Sequence, residues 1–166
     1  MLTMKPRYYT ERMNTDTTWR IESNDTAATE QLGADIGERL KGGEIIELRS
    51  DLGGGKTTFV RGLAYGAGSS DAVGSPSFTI SREYAAPKFT IHHYDFYRLA
   101  EPGLMAVELS EVLDDERAVV VVEWADVAED VLPKGRVIIA ITTIGENDRQ
   151  FGITLPDNLS YLRGEA

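Results

Sequence analysis

Nine residues constrain this chain more than any others: Ser50, Asp51, Leu52, Gly53, Gly54, Gly55, Lys56, Thr57 and Thr58. An apolar run, E-I-I-E-L-R at 44–49, precedes them, and a segment with helical character, 57–65, follows. Strand, glycine-rich turn, lysine, hydroxyl residue and helix come in the order a phosphate-binding loop requires. Lacking side chains, Gly53, Gly54 and Gly55 let backbone N–H groups turn inward around an anion. The following helix aims its free N–H groups and positive dipole end at the same point. On this reading Asp51 to Thr58 cradle nucleotide phosphates, Lys56 reaches the β- and γ-phosphates, and the Thr57 hydroxyl ligates Mg²⁺. The usual spacing is G-x-x-x-x-G-K-[ST], and Ser50 stands where its first glycine belongs. A left-handed backbone at Ser50 would cost about 1–2 kcal/mol, whereas extended geometry would cost little.

A chain of 166 residues is expected to form one domain with a substantial core. It has no cysteine, which excludes disulfides, thiolate zinc sites and cysteine nucleophiles and fits a reducing cytoplasm. No apolar run approaches the roughly 20 residues that span a bilayer. The first ten residues, M-L-T-M-K-P-R-Y-Y-T, lack the apolar core of a signal peptide. The expectation is a cytoplasmic protein. Its net charge of −10, with no cluster of Lys and Arg, argues against direct nucleic-acid binding and is compatible with a protein partner or with plain solubility.

Along the chain, residues 1–18 are polar and aperiodic and are expected to form a flexible extension, with the domain occupying 19–166. A short strand is expected at 19–22, then N-cap candidates Ser23 and Asp25. Ala28, Leu32, Ile36 and Leu40 mark one face of a helix that Gly42-Gly43 would end. After the loop and its helix, 78–84 and 89–94 read as a hairpin. Residues 99–113 suggest short helices, and 126–132 another. Five apolar residues at 118–122, A-V-V-V-V, imply a central strand covered on both faces. Residues 137–144 and 150–155 read as a final hairpin, and the tail is weakly determined. Strands interleaved with helices give an α/β fold of P-loop NTPase type, a parallel central sheet flanked by antiparallel strands with helices on both faces.

A phosphate loop needs acids to hold the metal and orient water. Glu123 follows the 118–122 strand, and Asp95 follows the strand at 89–94; both would lie at the sheet edge where ligands bind. Each has a bland alternative as a helix cap or solvated turn. Glu123, with Thr57, is the candidate metal ligand; Lys56, Asp95 and Glu123 are the candidate catalytic residues. His92 and His93 point to opposite faces of a strand and read as packing and hydrogen-bonding residues rather than metal ligands. Arg98 reads equally as a γ-phosphate or partner contact and as a salt bridge. Ser75, Ser77 and Thr79 suit a strand start or a γ-phosphate-sensing segment. Thr26 and Thr29 are candidates to lie near the base.

These motifs together resemble the TsaE family, small P-loop ATPases of bacterial tRNA threonylcarbamoyladenosine (t6A) synthesis. The family's D-L-G-x-G-K-T-T-F is similar to residues 51–59 here, continuing into Arg61-Gly62. Its S-P-T-F corresponds to Ser75-Pro76-Ser77-Phe78, and its H-F-D-L-Y-R-L to the stretch from His93 to Leu99. Its E-W corresponds to Glu123-Trp124, followed by Leu132-Pro133, and T-x-x-L-G to Thr29, Leu32 and Gly33. The match covers roughly residues 19–155. Ser50 and Ser77 depart from the family's glycine and threonine. The resemblance implies four parallel strands at the centre, ATP and Mg²⁺, Thr57 and Glu123 at the metal, and Asp95 supporting catalysis. It further implies docking on the TsaB–TsaD pair, which modifies adenosine 37, with tRNA engaged only indirectly. A non-catalytic ATP sensor in the same complex is the main alternative. A small-molecule kinase lacks an arginine-rich lid, and a GTPase lacks N-K-x-D.

Overall fold

A computed structural model describes residues 9–13 and 16–165. The elements run β1 (Tyr9–Met13), β2 (Asp16–Ser23), α1 (Thr26–Gly37), β3 (Ile45–Arg49), α2 (Lys56–Gly66), β4 (Ser81–Ala85) and β5 (Thr90–Asp95). Then come α3 (Gly103–Leu113), β6 (Ala118–Glu123), a 3₁₀ turn (Ala125–Ala128), β7 (Val137–Thr143), β8 (Arg149–Leu155) and a second 3₁₀ segment (Asp157–Arg163). One eight-stranded sheet results, in the order β1-β2-β8-β7-β3-β6-β5-β4. Its centre, β7-β3-β6-β5, is parallel, and β4 at one edge and β8, β2 and β1 at the other pair antiparallel. The expected four-stranded parallel centre with antiparallel flanks is therefore present.

Continuous apolarity places β6 between β3 and β5, buried at every position. Strand alternation then divides its side chains between two cores. Val119 and Val121 pack with Leu32 and Ile36 of α1 and Phe59, Val60 and Leu63 of α2. Val120 and Val122 pack on the other face with Leu109 of α3 and Ala125 and Ala128 of the first 3₁₀ turn. Helices thus cover both faces.

The contact between α1 and α2 is backbone-close. A β-carbon at Gly33 would lie 2.3 Å from the Phe59 carbonyl oxygen, and one at Gly62 only 2.0 Å from that of Glu30. Glycine is required there for approach, and the approach fixes α2, hence the loop that begins it. At the opposite end of β3, Glu44 is buried and accepts from the amides of Lys41 and Gly42 and, at 2.6 Å, from the Tyr161 hydroxyl. Burial, together with that carboxylate, pushes the Tyr161 phenol up.

Several boundaries differ from the sequence expectation. Within 1–18, residues 9–13 and 16–18 belong to β1 and β2, because backbone pairing of β2 to β8 and of β1 to β2 organises a polar segment that shows no apolar period; residues 1–8, 14 and 15 lie outside the described residues. Asp25 caps α1 through the Ala28 amide at 2.6 Å, while Ser23 instead bonds the Thr29 hydroxyl at 2.7 Å. Helix α1 ends at Gly37 rather than at Gly42, although Leu40 remains in the core. β4 starts only at Ser81, since residues 76–80 turn on hydrogen bonds to the Pro76 carbonyl. α3 is one helix, the tail is a 3₁₀ segment, and the expected helix at 126–132 shrinks to the turn Ala125–Ala128.

Candidate functional site

The connection from β3 to α2 is built from glycine geometry. Gly53 (φ 73°) and Gly55 (φ 102°, the N-cap of α2) both hold left-handed backbone that glycine adopts without strain. Ser50 does not: Ile80 and Trp124 are the non-glycine residues with positive φ among those described. Of the two geometries weighed for a serine at this position, the strained left-handed one is therefore not adopted. Its hydroxyl donates to the Asp51 carbonyl at 2.9 Å and fills the space beside Gly54, where a β-carbon would come within 1.7 Å of Ser50 Oγ. Asp51, Leu52 and Gly53 are exposed, and Gly54 is buried.

Lys56 opens α2 and is 7% exposed. Its ammonium donates to the carbonyls of Ser50 (3.2 Å) and Asp51 (3.1 Å) and lies 5.1 Å from the Trp124 ring centre. The cation is thus held against the carbonyls at the start of the loop. Thr57 and Thr58 follow in the first turn of α2. From the far side, Arg149 of β8 donates to the Gly54 carbonyl at 3.2 Å and to the carbonyls of Gly145, Glu146 and Asp148, tying the β7–β8 turn to the loop.

Register brings the two acids together. Asp95, the last residue of β5, pairs with Glu123, the last residue of β6, and Glu123 pairs on its other side with Leu48 of β3. Alternation puts Asp95 on the face of Ile91, and Glu123 on the face of Val119 and Val121, which is the face α2 covers. Both carboxylates are 3% exposed. Asp95 Oδ2 accepts from Ser77 Oγ at 2.5 Å, and Oδ1 accepts from the Tyr97 amide at 2.9 Å. Glu123 Oε1 meets His93 Nε2 at 2.7 Å; His93 Nδ1 lies 3.4 Å from the Tyr84 hydroxyl, which donates to the Gly74 carbonyl at 2.9 Å. Burial pushes the Tyr84 phenol up.

The donors fit the ligand that the loop implies. Two glycines with inward-turning geometry and a buried ammonium suit polyphosphate. A threonine hydroxyl and carboxylates are hard oxygen donors, suited to Mg²⁺. No cluster of three or more His, Cys, Asp or Glu able to hold a metal occurs among the described residues.

Other candidates are placed elsewhere. Arg98 places its guanidinium over Phe78, 4.3 Å from the ring centre. His92 faces away from His93, 3.4 Å from Glu83. Thr29 is buried against Ser23. Trp124 holds φ 55° directly after Glu123 and stacks on Tyr97 at 5.0 Å between centres, so strained backbone adjoins the acid. Sequence reasoning missed the Tyr84–His93–Glu123 connection. The available signal was parity: His93 precedes Asp95 by two residues and so shares its face, one strand from Glu123.

The profile of the family described as threonylcarbamoyl adenosine biosynthesis protein TsaE matches residues 23–151. A TsaE protein from Bacillus subtilis is 36% identical over 141 residues, covering 84% of this chain and 86% of its own. One from Nostoc is 32% identical over 147 residues, covering 87% and 90%. The crystal structure of Bacillus subtilis YdiB superposes with a TM-score of 0.73 at 31% identity, covering 92% of this chain and 95% of that one.

Proposed function

Because the chain belongs to the TsaE family, we propose that it is an ATP-binding and ATP-hydrolysing accessory protein of tRNA t6A modification, acting on a TsaB–TsaD complex. The observation that carries the proposal is the pairing of Asp95 with Glu123 on the α2 side of the sheet, abreast of the strand that delivers the glycine loop. The loop amides and the Lys56 ammonium would hold the β- and γ-phosphates of ATP. Thr57 and Glu123 would hold Mg²⁺, which when bound neutralises charge on the phosphates. Asp95 and Glu123, acceptors at the loop-side edge, would orient a water and take its proton. The water oxygen bonds to the γ-phosphorus as the bond to the β-phosphate oxygen breaks, giving ADP and phosphate.

An excess of acid over base, with net charge −10, supports a protein partner over direct contact with tRNA. Among the described residues no helix is long and apolar enough to cross a membrane, and we place the protein in the cytoplasm with the tRNA it serves. The test is ATP turnover by the purified chain, alone and with a TsaB–TsaD pair, with Lys56→Ala and Glu123→Ala as controls. Stimulation by the pair that both variants lose is expected. ATP binding without turnover in either condition would overturn hydrolysis in favour of a nucleotide sensor. Fast turnover indifferent to the pair would overturn the accessory role.

A further inference from the structure

We propose that His93 is a positioning residue for the Glu123 carboxylate, and that Tyr84 ties this pair to the segment that also holds Asp95. The inference rests on the functional reading above. Tyr84, His93 and Glu123 step diagonally across β4, β5 and β6, each offset by two residues from direct register: Tyr84 pairs with Ile91, and His93 with Val121. All three are at most 3% exposed. The Tyr84 hydroxyl donates to the Gly74 carbonyl at 2.9 Å, and its oxygen lies 3.4 Å from His93 Nδ1. His93 Nε2 points at Glu123 Oε1, 2.7 Å away, and the tautomer with its proton on Nε2 donates to that carboxylate oxygen.

A buried imidazole is ordinarily a packing residue. Two features set this one apart. A carboxylate buried beside a phosphate site needs a donor to fix its direction, and His93 supplies a side-chain donor to Glu123. The path also ends at Gly74, one residue before Ser75, whose hydroxyl bonds that of Ser77, which in turn bonds Asp95. Residues 74–77 therefore hold one acid through Ser77 and the other through Tyr84 and His93. Displacing this segment would misdirect both carboxylates together.

The test measures binding of a non-hydrolysable ATP analogue at increasing Mg²⁺, and in its absence, for wild type, His93→Phe, His93→Gln and Tyr84→Phe. Loss of an outer partner of a metal ligand weakens metal binding by about 10–100-fold, so His93→Phe is expected to need about 10-fold more Mg²⁺, with Mg²⁺-free affinity within about twofold of wild type. His93→Gln restores an N–H near the position of Nε2 and is expected to recover most of the loss, with Tyr84→Phe shifted less in the same direction. Equal loss of affinity with and without Mg²⁺, an unchanged Mg²⁺ requirement, or His93→Gln as impaired as His93→Phe would overturn the proposal. Should His93→Phe fail to fold, Tyr84→Phe decides, because it removes one hydroxyl and keeps the ring: an unchanged Mg²⁺ requirement overturns the proposal. Wild-type protein that binds no ATP analogue would overturn the functional reading itself. Mg²⁺-dependent wild-type binding that the variants leave untouched would overturn this inference alone.

Discussion

Ser77 donates its hydroxyl to the Asp95 carboxylate at 2.5 Å, joining residues eighteen apart in sequence. With the Tyr97 amide on the other oxygen, this bond fixes the direction of a carboxylate that strand register already places beside Glu123. Ile80, at φ 68°, ends the turn that carries Ser77 and accepts from the Asp95 amide at 2.8 Å, so a strained β-branched residue is held by the strand it adjoins.

The first prediction concerns this bond. Ser77→Ala should lower partner-stimulated ATP turnover by about 10–100-fold, the range for removing a partner that orients a site carboxylate. Ser77→Thr keeps the hydroxyl and should retain turnover within about threefold. Steady-state kinetics on the three proteins checks both. Equal losses in the two variants would show that the side-chain space beside residue 77 matters and the hydroxyl does not.

A second prediction concerns the contact between Ser50 and Gly54. Since Ser50 is not left-handed, Ser50→Gly relieves no strain and should change nucleotide affinity less than about threefold, with about 0.4–1 kcal/mol of stability lost to backbone entropy. Gly54→Ala drives a methyl group against Ser50 Oγ and should weaken nucleotide binding strongly. Adding Ser50→Gly removes the nearest obstacle, so the double variant should recover about 1 kcal/mol relative to the sum of the single changes. Calorimetric titration with ATP over the cycle measures that coupling, and strict additivity would refute it.

Much of the site was legible because its signals are local. Glycines before a lysine, an apolar strand before Glu123 and a hydroxyl-rich segment around Pro76 each mark chemistry within a few residues. The sheet was legible for the same reason: β6 is apolar throughout, and the turn residues Gly145 to Asp148 separate the runs that become β7 and β8. Tertiary contacts were less visible. That Gly33 and Gly62 are required by helix crossing follows from backbone approach across the interface, which no run of residues encodes. The role of Tyr84 and His93 needs the register of three strands at once. β1 was missed because its residues join the sheet through backbone pairing, which leaves no apolar period in the sequence.

Beneath the loop, on the α3 side of β3, Glu47 is 3% exposed and Arg136 5%, joined at 2.6 Å. Burial alone would push the Glu47 carboxyl up, but hydrogen bonds from Arg49 and Arg136 outweigh it and hold the group below its ordinary value. Arg136→Met removes the buried partner and leaves Glu47 paired only with the half-exposed Arg49; it should cost about 3 kcal/mol, and Glu47→Leu in the same chain should restore most of it. Arg49→Ala removes the more exposed partner and should cost under about 1 kcal/mol. Urea unfolding at neutral pH ranks the variants. A folded-state value below the unfolded one gives stability that is present above the unfolded value and lost as pH falls through the folded value. Wild type should therefore lose more on acidification than the double variant carrying Glu47→Leu and Arg136→Met, which has no carboxylate there to protonate.

The last prediction lies at the alkaline end. Tyr94, 1% exposed in the core between β6 and α3, has its phenol pushed up to about 12 by burial, with Glu108 and Glu83 adding to the effect. An unfolded tyrosine ionises near 10.0, so between these values the unfolded chain releases a proton that the folded chain retains. The stabilisation is therefore complete below pH 10 and lost progressively as pH rises towards 12. For Tyr94 alone the loss at pH 11 is about 1.4 kcal/mol. Tyr84 and Tyr161 are shifted in the same direction and should steepen the decline. Denaturant unfolding at pH 9 and pH 11 should show Tyr94→Phe losing about 1.4 kcal/mol less than wild type over that interval. Equal losses in the two proteins would mean that the Tyr94 phenol ionises as readily in the fold as in the open chain, and that its burial does not shield it from hydroxide.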